Sequence, residues 1–363
     1  MHGPTAPPML LRSVEAFEAS PPATAGERAQ AQRRIVALGG GTGLPVVLRG
    51  LKASLAEGGE PRAAIDRDRL TAIVTVADDG GSSGRLRRAY GMLAPGDVRN
   101  CLLALSERAD TLAQLFGFRF NGNGEMSGHS LGNLILAALS QMESGFERAV
   151  EAAGEILGVR GRVLAATAGD VGLEAEFEDG SRVAGESRIA DMRRPIRRIR
   201  LQPEAAPAVP QALAAVASAD CVVIGPGSLY TSLIPVLLAR GLVEAIADSR
   251  ARVVLVMNLM TEPGETDGYS AVDHILAVRA HAPGLPVHDV IVNTTPLAET
   301  VRRRYAAEGA EPLSVDAEAL EALGCRVCLA DVLSPGPEVR HDAQKLSRAI
   351  LDVAVSPAST EPA

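Results

Sequence analysis

The chain has 363 residues, 47% of them hydrophobic and 22% charged, enough apolar material to bury the core of one large α/β domain or two smaller ones. Aromatic residues are only 3% and Trp is absent, so that core is aliphatic, as suits a parallel sheet covered by helices. The formal net charge of −8 excludes nucleic-acid binding through a general basic footprint, and no apolar run reaches the ~20 residues that span a bilayer.

Residues 1–32, rich in Ala, Pro and Glu, read as a disordered tail, and "VSPASTEPA" at the other end reads the same way. The opening "MHGPTAPPMLLRS" lacks the apolar stretch of a secretion signal, so a reducing cytoplasm is the expected compartment. Between the tails, over residues 33–353, short apolar runs alternate with helical patterns. The runs are 34–39, 70–77, 221–225, 252–258, 290–294 and 326–331, and the helical patterns 44–55, 98–107, 229–239 and 270–280. This predicts an α/β, Rossmann-like three-layer fold with a mostly parallel sheet. Period-two alternation at 160–203, with Asp179-Gly180 as a hairpin turn, predicts a small β-rich insertion.

The first run leads into Gly39, Gly40, Gly41, Thr42, Gly43 and Leu44, with Pro45 in the first turn of a helix. Glycines there let backbone N–H groups approach an anion at a helix start. The spacing is neither the strict dinucleotide fingerprint nor a P-loop. The second run stops at Asp78-Asp79, then Gly80, Gly81, Ser82, Ser83, Gly84 and the arginines 85, 87 and 88. Carboxylates at a strand tip can take ribose hydroxyls or hold Mg²⁺. Asp97 looks like a helix N-cap, which would put Arg99 and Asn100 in the first turn, where side chains can reach the ligand crevice; cap and site are equally open here. His129, Ser130 and Asn133 crowd a later helix start, where ligand contact by Ser130 or Asn133 is expected and a general-base role for His129 is not.

The run at 221–225 opens into Gly225, Pro226, Gly227 and Ser228, with Thr231 and Ser232 near the helix start, a second anion-cradling helix end rather than a nucleophile elbow. Asn258 and Thr261 sit at the next strand tip, in a loop too polar and long for a simple connection, and Tyr269 offers a ring for a base. Arg302, Arg303, Arg304 and Lys345 read as a solvated helix face. Among the four cysteines, Cys101 and Cys221 read as core residues, and Cys325 and Cys328 form a lone C-x-x-C read as structural rather than zinc-binding.

Taken together, "GGGTGL", "VTVADDGGSSGRLR", "PGDVRN", "GHSLGNLILAAL", "IGPGSLYTSLIP", "NLMTEPGETDGYSAVDH" and "RHDAQKL" resemble the bacterial gluconeogenesis factor family, whose wider relatives are the 2-phospho-L-lactate transferases of deazaflavin coenzyme synthesis. The resemblance spans residues 34–352. It implies a Rossmann-like fold, a cytoplasmic protein, a UDP-sugar ligand, and a regulatory role linking carbon metabolism to cell-envelope assembly and cell shape. It carries over Gly40, Gly41, Thr42, Gly43, Asp78, Asp79, Ser228, Tyr269 and Arg303 as ligand residues.

Two expectations follow. One is a nucleotide-sugar-binding regulator without turnover; the other is a transferase drawing on a nucleotide diphosphate donor, with Mg²⁺ held by Asp78 or Asp79. The region "PGDVRN" offers one acid where the transferase relatives carry paired acids, which favours the regulator. Protein partners in envelope synthesis and a homo-oligomer are compatible with this reading; nucleic acid and membrane insertion are not.

Overall fold

The alternation of aliphatic runs and helices builds the expected sheet. The protein is described as a computed structural model over residues 33–56, 67–108 and 110–355; the expected tail at 1–32 lies outside these residues, as does the C-terminal one from residue 356. The first half of the chain runs β1 (Ile35–Gly39), α1 (Gly43–Ala56), β2 (Leu70–Val74), α2 (Gly81–Tyr90), α3 (Gly96–Leu105), α4 (Thr111–Gly117), α5 (Leu131–Met142), α6 (Phe146–Ile156) and β3 (Arg162–Ala165). Then come β4 (Gly172–Phe177), β5 (Arg182–Ala184), α7 (Glu186–Met192), β6 (Ile196–Gln202), α8 (Pro210–Ala217) and β7 (Cys221–Ile224). A π-helical turn (Leu229–Leu233) leads into α9 (Ile234–Leu237), followed by α10 (Leu242–Asp248), β8 (Arg252–Val256), α11 (Ala271–His281), β9 (Asp289–Asn293), α12 (Glu299–Ala307), α13 (Ala317–Ala322), β10 (Arg326–Ala330) and α14 (Ala343–Val355).

Seven strands form one sheet in the order β10-β9-β8-β7-β1-β2-β3, every neighbouring pair parallel. A separate antiparallel sheet has the order β5-β4-β6. Strands β1, β2, β7 and β8 are buried along their whole length, which is why they read as continuous apolar runs rather than alternating ones. No helix among the described residues is long and apolar enough to cross a membrane.

One strand sits elsewhere than its pattern suggested. The segment "GRVLAAT" was expected in the β-rich insertion, yet β3 pairs with β2 from Thr71↔Arg162 to Val74↔Ala165 and forms the edge of the main sheet. At that edge alternate side chains are only half-buried, so an edge strand of a parallel sheet shows the same period as a hairpin strand. The small antiparallel sheet begins at Gly172, and its β4–β5 turn is made by Asp179 and Gly180, with Gly180 at φ +81. Helix α14 also continues to Val355, two residues past the expected boundary.

The β8–β10 half of the sheet is tied by charge. Asp289, fully buried on β9, accepts hydrogen bonds from Arg252 Nη2 on β8 at 3.0 Å and from Arg326 Nε on β10 at 2.6 Å. Removing the carboxylate would leave Arg252 buried without its main counter-charge, and breaking such a buried pair costs about 3–5 kcal/mol. Asp289→Ala is therefore expected to lower stability by about that amount in urea unfolding. Loss of the 40%-exposed Arg326 side chain is expected to cost less, because solvent already screens it; equal losses for the two variants would contradict this assignment.

Candidate functional site

Chain order turns on β1: β2 and β3 lie to one side of it, β7 to β10 to the other. The crevice beyond the carboxyl ends of β1 and β7 is thus a topological switch point, where open α/β sheets hold ligands. A cleft of about 1370 Å³ lies there, lined by Thr42 and Gly43 after β1, Pro226, Gly227 and Ser228 after β7, and Asn258 to Pro263 after β8. Arg49 of α1, Arg193 after α7, Tyr305 and Glu308 at the end of α12, and Arg340 to Asp342 before α14 complete it.

The three strand-end loops are knitted by backbone approach. A Cβ on Gly43 would fall 2.1 Å from the carbonyl oxygen of Pro226, and one on Gly40 would fall 2.6 Å from Asp97 Oδ2. Asn258 spends its amide on the same junction: its Oδ1 accepts from Gly227 N at 3.1 Å and its Nδ2 donates to Gly227 O at 2.9 Å. Gly225 and Gly227 hold the turn at φ +79 and +153. Leu44 is fully buried and packs in the core under the loop.

The helix start after β7 does receive an anion, and it is the chain's own. Glu265 accepts from Tyr230 N at 3.1 Å and from Thr231 Oγ1 at 2.8 Å, while Ser228 Oγ donates to Glu262 Oε1 at 2.8 Å. Burial pushes both carboxyls up, Glu265 to about 7. Neither acid was singled out in the sequence; two glutamates three apart in a polar loop after a strand tip were the signal available.

The adjacent acids at the end of β2 have different tasks. Asp78 Oδ1 accepts from Gly80 N at 2.8 Å and turns the chain into α2. Asp79 Oδ1 accepts from both Ser187 N and Ser187 Oγ at 2.9 Å, which fastens the start of α7 to the strand tip. Arg87 reinforces this junction, donating to the Asp78 carbonyl at 3.0 Å and to Val171 O at 2.7 Å. Arg85 likewise donates to Ser127 O at 2.7 Å, so these two arginines hold backbone rather than offset a ligand's charge.

Asp97 is not the cap it was read to be. Pro95 holds the N-cap position of α3, and Asp97 is the second residue of its first turn, with its carboxylate accepting the Gly41 N–H. Burial and the neighbouring Asp78 raise its carboxyl to about 6 against that hydrogen bond. Glu186 at the start of α7 joins this group from far along the chain: burial first, then Asp78 and Asp79, push it up to about 8.

The expected residues Ser82, Ser130 and Asn133 form a buried network. Ser82 Oγ lies 3.1 Å from His129 Nδ1 and accepts from Asn133 Nδ2 at 3.1 Å, and Asn133 Oδ1 accepts from Arg99 Nη1 at 2.8 Å. Ser130 Oγ points to Phe116 O at 3.4 Å. Ser83 packs against Gly96, where a Cβ would fall 2.6 Å from its Oγ. These side chains join α2, α3 and α5 behind the acids and do not line the cleft. Tyr269 donates or accepts at Tyr230 OH, 2.8 Å away, with its ring edge-on to Tyr230 and His274. Arg303 is exposed on α12 and pairs with Glu299 at 2.8 Å. The cleft thus gathers Thr42, Gly43, Gly227, Ser228 and Asn258, but not Tyr269 or Arg303.

The raised acids have a consequence for pH. A carboxyl held above its unfolded value favours the folded state while protonated, and that contribution fades as pH rises through the folded pKa. The midpoint of thermal unfolding is expected to fall between pH 5 and 8.5, with Glu186→Gln flattening the upper part of the decline; an unchanged slope in that variant would count against Glu186. Asp79→Ala should speed hydrogen exchange across residues 186–192 while leaving β1 and β7 protected.

The comparisons with known proteins agree with this architecture. A sequence profile of the 2-phospho-L-lactate transferase CofD matches residues 35–333. A protein of Halalkalibacterium halodurans named gluconeogenesis factor is 47% identical over 324 residues, covering 88% of this chain and 96% of that one. A Bacillus subtilis protein of the same name is 41% identical over 321 residues, covering 88% and 98%. A crystal structure of a Bacillus halodurans protein superposes with a TM-score of 0.82 at 45% identity, covering 88% of this chain and 99% of that one. On sequence, fold and coverage alike, the chain belongs to the CofD family, alongside relatives named gluconeogenesis factor.

Proposed function

We propose that the chain is a cytoplasmic regulator that binds a UDP-sugar in the switch-point cleft without turning it over, and so links carbon metabolism to cell-envelope synthesis and cell shape. The observation that carries the reading is the convergence of Thr42, Gly43, Gly227 and Ser228, from two strand-end loops, on one cleft. Glycine-rich strand-end loops at helix starts suit a diphosphate, although the Gly227 N–H is held by Asn258 and the Ser228 hydroxyl by Glu262. At about 1370 Å³ the cleft also has room for a nucleoside and a sugar, since ligand pockets run to about 300–1,000 Å³. The names of the relatives support the metabolic part of the reading.

The absence of turnover is supported by the side chains. The one serine–imidazole contact of the region, Ser82 with His129, is buried among Asn133 and Ser130 and does not line the cleft. No carboxylate orients that imidazole, and burial and Arg85 hold its pKa below the ordinary value.

A second reading, the Mg²⁺-dependent transferase, is favoured by one observation: Asp78, Asp97 and Glu186 come together although the local sequence shows a single acid at "PGDVRN". Their oxygens suit a hard cation. Against the fit, Asp79 is engaged by Ser187, and among the described residues no group of three or more His, Cys, Asp or Glu is disposed to hold a metal ion. In that reading Asp78 would hold the cation, which would supply charge stabilisation to a transferring phosphoryl group.

Titration calorimetry against UDP-glucose and UDP-N-acetylglucosamine, with Mg²⁺ and with EDTA, tests the two. Metal-independent binding with no product over hours is expected; release of UMP would favour the transferase. Thr42→Glu is expected to lower affinity at least about 100-fold by setting a carboxylate against the ligand's phosphate. Unchanged affinity in that variant would remove the β1–α1 loop from the site.

A further inference from the structure

Three arginines from distant segments line the cleft, and their guanidinium groups make none of the hydrogen bonds that join its loops. Arg49 lies on α1, Arg193 directly follows α7 in the insertion, and Arg340 precedes α14. Among the described residues, the side chains of Arg49 and Arg193 have no hydrogen bond or ion pair, and the Arg340 side chain has only Glu338, an exposed partner at 2.7 Å. Surface arginines are commonly solvated without any role, so the weight falls on three further observations.

The first is repulsion. Burial, then the charge of Arg340, hold Arg49 below its ordinary pKa, so two of the cleft-lining guanidiniums bear on one another's charge although Arg340 also meets Glu338. The second is that the acids nearby are engaged. Glu262 is held by Ser228 Oγ, and Asp342 accepts from Gln344 N and Lys345 N at the start of α14. Of the cleft acids, that leaves Glu308, at the end of α12.

The third is backbone strain. Arg193 has φ 47, the one non-glycine residue with positive φ among the described residues. The position after a helix usually takes Gly there, because a Cβ is unfavourable in the left-handed region. It also packs closely on the next loop: a Cβ on Gly264 would lie 3.1 Å from Arg193 Cα. Keeping a long cationic side chain at a site that Gly would occupy at lower cost points to a use for the side chain.

We propose that Arg49, Arg193 and Arg340 form a guanidinium subsite that neutralises a diphosphate group in the cleft without a metal ion. The proposal deepens the nucleotide-sugar reading by naming the groups that meet the ligand's charge. It makes the insertion part of the binding site, since α7 is fastened at its start by Asp79 and delivers Arg193 at its end. Guanidinium forks match phosphate oxygens in geometry as well as charge.

The probe is inorganic pyrophosphate, titrated into the full chain by calorimetry in EDTA, beside a parallel titration of UDP-glucose. Wild-type protein is expected to bind pyrophosphate, and Arg49→Gln and Arg340→Gln are each expected to weaken it about 10-fold or more. Arg193→Gly is the discriminating variant: it relieves the strained φ, so the melting temperature should hold or rise while pyrophosphate affinity falls. No pyrophosphate binding in EDTA, or binding that all three variants retain, overturns the subsite. Arginine-dependent pyrophosphate binding with no UDP-glucose binding would sustain the subsite and overturn the nucleotide-sugar reading instead. UDP-glucose binding that ignores all three substitutions would do the reverse.

Discussion

The carbonyl of Pro226 lies so close to Gly43 that no side chain can stand between them, and the cleft depends on that approach. Two loops that follow neighbouring parallel strands would ordinarily diverge, since each must lead into a helix packed on the sheet. Here they meet backbone to backbone. Gly43 makes the meeting sterically allowed, Asn258 locks the far side of it through Gly227, and Asp97 draws Gly41 in from below. The turns on either side of Thr42 are therefore held by the chain's own contacts, and little backbone freedom remains there.

The tip of β2 divides its work between adjacent carboxylates. Asp78 folds back on its own chain at Gly80, and Asp79 holds Ser187 of the insertion. This division gives the two acids that follow β2 by a few residues separate tasks: one turns the chain and the other anchors a distant segment. It also brings Glu186 beside Asp78 and Asp97, concentrating carboxyl groups, with Glu186 held protonated at neutral pH, at one end of the switch point while arginines gather around the cleft. The functional edge of the sheet is thus electrostatically polarised although the chain as a whole is simply acidic.

Much of this was legible in the sequence. Six apolar runs became six strands of the main sheet; the inner ones are buried on both faces and carry no competing polar period, and the edge strand β10 keeps its apolar run although it is only half-buried. The glycine–threonine loop, Ser228 and Asn258 were found because each sits directly after such a run. What escaped was long-range or carried an ambiguous period. The edge strand β3 alternates like a hairpin strand; Asp97 looks like a cap until Gly41 is seen beneath it. Glu186 and Arg193 belong to an insertion whose packing no local pattern reveals. Tyr269 illustrates the opposite limit: its hydroxyl is shared with Tyr230 and its ring with His274, contacts that motif matching cannot register.

The paired phenols bear on how this protein can be watched in solution. With no Trp and 4 Tyr in the chain, ultraviolet emission comes from tyrosine alone, undistorted by energy transfer to indole. Two of those emitters share a hydroxyl contact, Tyr230 from the helical turn that follows Ser228 and Tyr269 from the loop before α11, and Tyr230 also sets its ring edge against His281, whose Nε2 receives the Ile199 amide of β6. Rearrangement of that turn would change the light the molecule gives off, with no label attached.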